Sequence, residues 1–511
     1  MMSDVCVVQA PIAEGECDSN ITLGFGVLTA GLKDKGFDVD QVDINYLLRS
    51  GLYGIEERSF DAERLMDEEL NKQYLLGRES EVEKDLERLV KEAGLDSYRA
   101  VFFSLSSSNQ YLQVLSVSRK LKEMVPEMIV LIGGSFLNKN GGMKDMYPLR
   151  FDFVDFIYRG FIESVDISPG FERGELKGLE GFCYMDSKEP VIKEFNDIDL
   201  EDEKKPFYES HIVDQSRKLS SGDSLVMLYR FSRRCNNGCH FCNFKRGYEH
   251  KSLSKVTEEI EELKEEYSTS KFLLCDANIS FDLGYLERFS ERASEIGIEW
   301  GGNSHFIRKD EKFYRKLAEN GCRFLFHGLE SGSDRMLKRM GKPFDASLAQ
   351  KSIRREYRSG IKSVNHVIVG FPGERRQDFR QTYRFLRNNQ HYLYDVLIHS
   401  FDLTDGVSIL SDYGSYGITP ERAPFSSIEN LDSEDYLNNF LGQVSIPYST
   451  EGMDSTEIKK MKRRRYKMLY WRFKTLVTAR KILGQDKISR LRILGKKPYL
   501  RFGNGLEDLF L

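Results

Sequence analysis

Short apolar runs separated by amphipathic stretches organise the first third of the chain: Val5-Cys6-Val7-Val8, Val101-Phe102-Phe103, Met128-Ile129-Val130-Leu131-Ile132 and Val154-Asp155-Phe156-Ile157. Brief runs of this kind predict buried strands, and the helical spacing of residues 21–36 and 109–124 predicts βα units around a parallel, doubly wound sheet. Such sheets take ligands in the crevice at the carboxyl edge of the strands. The loops expected there are Gln9-Ala10-Pro11, Ser104-Leu105-Ser106-Ser107-Ser108, Gly133-Gly134-Ser135 and Gly160-Phe161-Ile162-Glu163. They are small, polar and glycine-bearing, as ordinary turns are and as close approach to a large cofactor requires. Residues 49–98 are charged and helix-permissive, which predicts a helical insertion, and the acidic, irregular stretch up to 222, with Asp199-Leu200-Glu201-Asp202-Glu203, reads as a linker.

A second alternating series predicts strands at 225–232, 272–276, 299–303, 323–329, 363–370 and 395–401. Helical segments separate them, as at 254–267, where Val256, Ile260 and Leu263 recur at spacings of four and three. Six βα repeats predict a barrel or partial barrel with its site at the strands' C-terminal mouth. Beyond 405 the alternation stops. A long amphipathic helix is expected over 455–483, with Lys459, Lys460, Lys462, Arg463, Arg464 and Arg465 in its first turns. That cluster is either a solvated face or a surface for an acidic peptide or protein.

Composition narrows the field. Lys+Arg 75 against Asp+Glu 80 gives a net charge of -5, which argues against a nucleic-acid coat. No apolar run approaches the roughly 20 residues of a membrane span. Met1-Met2-Ser3-Asp4-Val5 lacks a leader pattern, so a cytoplasmic location is expected, with no nucleic-acid or membrane partner. The 8 cysteines are too sparse for a disulfide scaffold.

Three of those cysteines stand together in Cys235-Asn236-Asn237-Gly238-Cys239-His240-Phe241-Cys242, a CxxxCxxC spacing after the first strand of the second series. Thiolates so spaced suit a soft metal centre. A structural zinc would need a fourth ligand, for which His240, His250 or Cys275 are candidates; a three-cysteine [4Fe-4S] cluster would leave one iron open.

With Phe241 before the last cysteine, the motif resembles the CxxxCxΦC signature of the radical S-adenosylmethionine (SAM) enzymes. Further segments resemble that family in order: Asp276 with Asn278, Phe326-His327-Gly328-Leu329-Glu330-Ser331-Gly332-Ser333-Asp334, and Val367-Ile368-Val369-Gly370-Phe371-Pro372-Gly373-Glu374. The resemblance implies that Cys235, Cys239 and Cys242 ligate a [4Fe-4S] cluster and that SAM chelates the open iron and is cleaved to methionine and a 5′-deoxyadenosyl radical. It further implies that Phe241 and the segment around Gly370 meet adenine, that Glu330 and Ser331 hold the ribose or amino acid moiety, and that Asp276 and Asn278 help hold the methionyl amino group. The third strand departs from the family: Asn303 and His305 stand where an arginine is usual. His305 and His366 are placed either in the pocket or in the core.

A doubly wound domain before such a barrel resembles the cobalamin-dependent subfamily, with Gln9, Ser104, Ser106, Ser107, Gly133, Gly134, Gly160 and Glu163 as the expected cobalamin contacts. All 8 histidines lie at or after His211, so the first domain cannot supply the histidine of a DxHxxG cobalamin ligand, as is common in class B methyltransferases. The implied architecture is α/β: a Rossmann-like, doubly wound cobalamin-binding domain (1–165), a linker (166–222), a partial (βα)6 radical SAM barrel (223–405) and a mostly helical C-terminal capping domain (406–511). The implied activity is transfer of a methyl group from methylcobalamin to an unactivated carbon, with ferredoxin or flavodoxin as reductant and a peptide or protein as substrate. Size and layout resemble members of the class that methylate a glutamine of methyl-coenzyme M reductase. A cyclase or oxidase on a small molecule is the alternative, and a zinc-stabilised binding module a distant one. Cys6, Cys17 and Cys183 stand too far apart for the second cluster of a methylthiotransferase.

Overall fold

The computed structural model describes residues 5–11, 21–106, 110–134, 143–220, 224–244, 247–404, 406–421, 432–439, 445–474 and 509. They fall into two compact units: Val5 to Leu228 joined by the helix Ser433–Asn439, and Tyr229 to Glu421 joined by residues 445–474 and 509.

The first unit is built on a seven-stranded sheet in the order β2-β1-β3-β4-β5-β6-β7. Strands β1 (Val5–Gln9), β2 (Val39–Asp43), β3 (Ala100–Ser104), β4 (Ile129–Gly133) and β5 (Phe156–Tyr158) run parallel. This is a doubly wound order, whose switch point lies between β1 and β3. Helices α1 (Leu23–Asp34), α2 (Ile44–Leu52), α3 (Ala62–Met66), α4 (Glu68–Leu75), α5 (Val82–Glu92) and α6 (Tyr111–Met124) connect the strands, so residues 49–98 are the expected helical insertion. Strand β2 was not among the expected ones: as Val-Asp-Gln-Val-Asp at the sheet edge it alternates buried and half-buried positions and forms no apolar run.

The linker reading of 166–222 is corrected. Strand β6 (Phe182–Asp186) extends the sheet antiparallel to β5, β7 (Glu189–Val191) pairs antiparallel with β6, and the helix Ser210–Leu219 follows. Of the acidic run, Asp199 and Asp202 are exposed while Glu203 is buried, and the segment is packed: Tyr208 and Pro206 lie where a Cβ on Gly26 of α1 would stand. The stretch 406–511 is likewise not one piece. The helix Ser433–Asn439 joins the first unit, where Tyr436 stacks on Tyr147 with ring centroids 3.6 Å apart, whereas 445–474 belongs to the second.

The second unit is built on a six-stranded sheet in the order β15-β14-β13-β12-β11-β8, a partial barrel whose first strand spans the boundary at Leu228–Tyr229. Its strands are β8 (Val226–Tyr229), β11 (Lys271–Leu274), β12 (Glu299–Ser304), β13 (Cys322–Glu330), β14 (Lys362–Val369) and β15 (Asp395–Ser400), matching the six expected. Between β8 and β11 lie the short β9 (Ser232–Arg233) and β10 (Glu249–His250). Alternation sets the faces: Leu329, Val367, Val369, Val396 and Ile398 pack with Phe379, Phe385 and Leu386 of the helix Arg376–Asn389, so Gly328, His366, Ile368, Leu397 and His399 face the barrel interior. The helix Ser455–Leu469 ends in a wider turn over Tyr470–Lys474; the remainder of the expected 455–483 helix lies outside the described residues. Among the described residues no helix is long and apolar enough to cross a membrane.

Candidate cofactor site

The CxxxCxxC loop is closed at its base by an antiparallel pairing of β9 with β10, Arg233 opposite Glu249. The Arg233 guanidinium donates to Glu249 from Nε at 2.5 Å and Nη2 at 3.3 Å, a forked contact that fixes the two ends of the loop together. Asn236 Oδ1 accepts from the backbone of Gly247 at 2.7 Å and Tyr248 at 3.2 Å, tying the near limb to the far one. Cys235 is buried, and Cys239 and Cys242 are half-buried. Asn237 Nδ2 donates to Cys235 Sγ at 3.3 Å, and Phe244 N to Cys242 Sγ at 3.5 Å. Burial pushes the Cys239 and Cys242 thiols up, and the Lys342 ammonium pulls both back.

Each candidate for a fourth zinc ligand is engaged elsewhere. His240 Nδ1 lies 3.0 Å from the Arg339 carbonyl and hydrogen-bonds the Tyr416 hydroxyl. His250 Nδ1 lies 2.9 Å from the Lys251 carbonyl, and Cys275 Sγ lies 3.7 Å from the Leu273 carbonyl. Among the described residues no three thiol, imidazole or carboxylate groups meet as the ligands of one metal ion. A four-iron cluster asks something different, one thiolate for each of three irons.

The turn after the helix Asp334–Arg339 presses on this loop. His240 N donates to Met340 O at 3.0 Å, and Gly341, at φ +74, passes where a Cβ would stand 2.5 Å from Gly238 O. That approach brings Lys342 to Glu330, with Nζ 2.9 Å from Oε1 and side chains 4% and 8% exposed. Lys342 also sits over the Phe241 ring at 5.2 Å, and Phe241 meets Phe371 edge-to-face. Glu330 owes its direction to an irregularity: the β13 register shifts between Gly328 and Glu330, and Glu330 adopts φ +57. A non-glycine residue held in that left-handed region stores strain, which marks functional positions.

The other expected residues separate into those with spare bonding capacity and those already engaged. Asp276, fully buried after β11, accepts from Ser232 N and Oγ through Oδ1, while Oδ2 has no partner among the described residues. Burial pushes its carboxyl up to about 6. Nearby, Asn303 Nδ2 donates to Asp276 O at 2.9 Å, and His305 keeps an unpartnered Nδ1, its imidazole pushed down to about 3 by burial and by Lys342. Asn278 Oδ1 is engaged by Ser280 and by His305 N, and Ser331 Oγ by Thr382 Oγ1 at 2.9 Å and Ser333 N at 3.1 Å. Gly370 donates from N to Glu374 Oε2 at 2.8 Å, and a Cβ there would meet Lys462 Cγ at 2.4 Å. Buried polar atoms without partners are rare, so Asp276 Oδ2 and His305 Nδ1, the latter within the electrostatic reach of Lys342, fit a polar, zwitterionic ligand. Lys342, which the sequence reading did not single out, carries no motif of its own; only its place in the turn against the cysteine loop reveals it.

In the first unit, Gln9, Ser104 and Gly133 end β1, β3 and β4, at the carboxyl edge as expected. Gln9 Oε1 accepts from Thr22 N at 2.7 Å, and Ser106 N donates to Gln110 Oε1 at 2.6 Å. Ser107 lies outside the described residues. The glycines answer first to the protein's own packing: a Cβ at Gly134 would meet Leu105 O at 2.1 Å, one at Gly160 the Phe195 ring, and one at Gly133 Tyr158 O at 3.2 Å. Glu163 Oε1 accepts from Lys204 N at 3.3 Å. The edge also holds a carboxyl the sequence reading passed over. Asp43, at the end of β2, is buried with Oδ2 unpartnered, and burial pushes it up to about 7. That atom fits a hydrogen-bonding ligand at this edge.

Comparison with known proteins bears on these sites. Residues 229–386 match the Radical SAM superfamily. Over 322 residues the chain is 24% identical to an uncharacterized methyltransferase of Pyrococcus horikoshii, covering 59% of this chain and 66% of that protein. Over 413 residues it is 22% identical to the anaerobic magnesium-protoporphyrin IX monomethyl ester cyclase of Cereibacter sphaeroides, covering 69% and 64%. The chain thus spans less than two thirds of the length of these relatives. In fold it is similar to the radical SAM methyltransferase TsrM of Kitasatospora setae, solved with tryptophan and a SAM analogue, at TM-score 0.57 and 12% identity over 87% of this chain and 85% of that one. Another structure of that enzyme, with cobalamin and a [4Fe-4S] cluster bound, matches at TM-score 0.55 and 12% identity over 85% of each chain.

Proposed function

A radical SAM domain occupies residues 229–386, and on that premise we propose that the protein is a cobalamin-dependent radical SAM methyltransferase acting on a carbon of a peptide or protein. The observation that carries the reading is the convergence of the three-cysteine loop, the buried Lys342–Glu330 pair and the unpartnered Asp276 Oδ2 at one end of the partial barrel. Cys235, Cys239 and Cys242 hold the cluster, which, when bound, supplies the electron that cleaves SAM. Lys342 meets the SAM carboxylate, Asp276 accepts from its ammonium, and Glu330 orients toward its ribose. Phe241, Phe371 and Phe401 wall the site and exclude water from a reactive radical. The doubly wound sheet holds cobalamin at its carboxyl edge, where Gln9, Ser104 and Asp43 offer hydrogen bonds. TsrM supports this through its fold, and the Pyrococcus relative as a methyltransferase.

The test is anaerobic reconstitution with SAM, methylcobalamin and a reductant, followed by the mass of candidate peptides, among them one carrying the glutamine of methyl-coenzyme M reductase. A gain of one methyl supports the proposal. A cyclised or oxidised small molecule would favour the second reading, for which the long match to the magnesium-protoporphyrin ester cyclase speaks.

A further inference from the structure

The outer face of the helix Ser455–Leu469 carries charge that nothing in the described fold answers. Ile458, Lys462 and Leu469 are buried and Arg465 turns inward to Glu374, all on one side of the helix. On the opposite side Lys460, Arg464, Lys467 and Trp471 follow at spacings of four, three and four, flanked by Lys459 and Arg463, and all six are exposed. Glu457 is the one acidic residue of the helix. Elsewhere in this unit exposed cations such as Arg292 and Arg315 are matched by Glu295 and Glu311 within a turn of their own helix. None of Lys459, Lys460, Arg463, Arg464 and Lys467 has a carboxylate partner among the described residues.

The charge runs into an aromatic end. Tyr466 and Tyr470 stack at 5.7 Å and 16°, Trp471 meets Tyr470 edge-to-face at 6.0 Å, and Trp471 and Met468 are 57% and 54% exposed. The inner face meanwhile stands at the barrel mouth. Lys462 donates to Phe401 O, just past the end of β15, and a Cβ on Gly370, just past the end of β14, would meet its Cγ. A ligand on the outer face is thus one helix diameter, about 10 Å, from the rim of the mouth.

Size and sign choose the partner. From Lys459 to Trp471 the face is about 18 Å long at 1.5 Å per residue, the reach of about five or six residues of extended chain. The cations call for carboxylates, and the aromatic end for an apolar side chain beside them. A bilayer or a nucleic-acid duplex extends its negative charge far beyond this length and would meet a chain of net charge -5 around the face, whereas a short acidic run ends where the cations end.

We propose that this face binds an acidic segment of the acceptor polypeptide, with its carboxylates on Lys460, Arg463, Arg464 and Lys467 and a neighbouring apolar side chain against Trp471 and Met468, and so holds the acceptor beside the mouth. The use made of the bound segment rests on the methyl-transfer reading; binding itself is measured apart from it.

The experiment uses the full chain, reconstituted without oxygen, and follows tryptophan emission. The chain has 2 tryptophans, and Trp300 is fully buried in β12, so Trp471 carries the response and Trp471→Phe should abolish it. The probes are the acetylated and amidated peptides Asp-Glu-Asp-Glu-Leu-Phe and Asn-Gln-Asn-Gln-Leu-Phe, with phosphatidylglycerol vesicles and a short DNA duplex at equal negative charge. The acidic peptide is expected to give a saturable shift that weakens as salt is raised, and the neutral one none at the same concentration. Arg463→Met combined with Arg464→Met should weaken the acidic peptide roughly fivefold, the loss of two exposed ion pairs, with the thermal midpoint unchanged. Attached to a peptide that gains a methyl, the acidic run should lower KM about fivefold and leave kcat as it was. Equal response to the two peptides, full affinity in the double variant, an unmoved KM, or tighter binding of vesicles or duplex than of the acidic peptide would overturn the proposal. Failure of the methyl-transfer reading shows separately, as absent SAM cleavage or absent methyl gain in protein that still binds the acidic peptide.

Discussion

Lys342 and Glu330 form an ion pair of 2.9 Å with both side chains more than nine-tenths buried, and the cation lies over the Phe241 ring within the loop of Cys235, Cys239 and Cys242. Removing one partner of such a pair strands the other. Lys342→Met is expected to cost about 3–5 kcal/mol of stability, and Lys342→Met with Glu330→Gln to recover most of it. Neither variant should regain SAM binding, which is expected to fall about tenfold or more. Urea unfolding and equilibrium dialysis of SAM separate the two effects; SAM binding restored in the double variant would remove Lys342 from the site.

The space around this pair is equally constrained. A Cβ on Gly328 would stand 2.4 Å from Glu330 Oε1 and 2.8 Å from Lys342 Nζ. Gly328→Ala is expected to cost about 1–3 kcal/mol through overpacking and to displace the pair. A thermal midpoint unchanged from that of the parent would show that the pair relocates freely.

These two predictions also mark what a sequence reveals. Strands β11 and β13 to β15 were legible because each gathers apolar residues such as Phe324, Leu325, Val367 and Val369 between helical segments, and β12 because it falls at the expected spacing in that alternation. Strand β2 sits at an edge and alternates Val with Asp and Gln, so no run betrays it. The β6–β7 hairpin was hidden in charged text, since only Phe182 and Cys183 are well buried there. Cys235, Cys239 and Cys242 declare themselves by spacing, whereas Lys342 reaches Glu330 only because Gly341 lets a turn pass against the cysteine loop. His399 is a similar case: its inward direction follows from the β15 pairing that sets it opposite Ile368. Contacts made by tertiary approach leave no local pattern to read.

Cys239→Ala is expected to abolish bound iron and 5′-deoxyadenosine formation while leaving the corrin bound. The cysteine loop and the doubly wound sheet belong to separate compact units, each with its own core. Iron content, deoxyadenosine yield and the corrin absorption spectrum of one preparation test all three at once. Retained deoxyadenosine formation would refute the cluster assignment.

Asp276 predicts a pH dependence with a definite sign. Its carboxyl rises from 3.8 to about 6 because the buried position disfavours the charge. The folded state therefore holds the proton more tightly than the unfolded chain. That contribution is fully present below pH 3.8 and is lost as pH rises through about 6, amounting to on the order of 3 kcal/mol. Asp276→Asn should flatten this slope and gain stability at neutral pH, yet weaken SAM, whose ammonium would lose its counter-charge. Binding of SAM to the parent near pH 6 should release a proton, measurable as a buffer-dependent heat. Heat independent of the buffer would sink the pairing of Asp276 with the ammonium.

The basic cluster of the helix Ser455–Leu469 divides by direction. Arg465 forms a buried ion pair with Glu374, whose Oε2 also accepts from Gly370 N, and Lys462 donates to Phe401 O while lying over the Tyr448 ring at 4.9 Å. Lys459, Lys460, Arg463 and Arg464 are exposed. Arg465→Met leaves Glu374 buried without its counter-charge and is expected to cost about 3–5 kcal/mol, whereas Arg463→Met and Arg464→Met should stay within about 0.5 kcal/mol. Glu374 is already pushed up by burial, with Arg465 the main opposing influence, so in Arg465→Met it should take up a proton at higher pH and the loss should shrink as the solution is acidified. Thermal unfolding of the three variants across pH distinguishes the cases. Equal losses from all three substitutions would mean that the helix is held by its overall charge rather than by the two residues that turn inward.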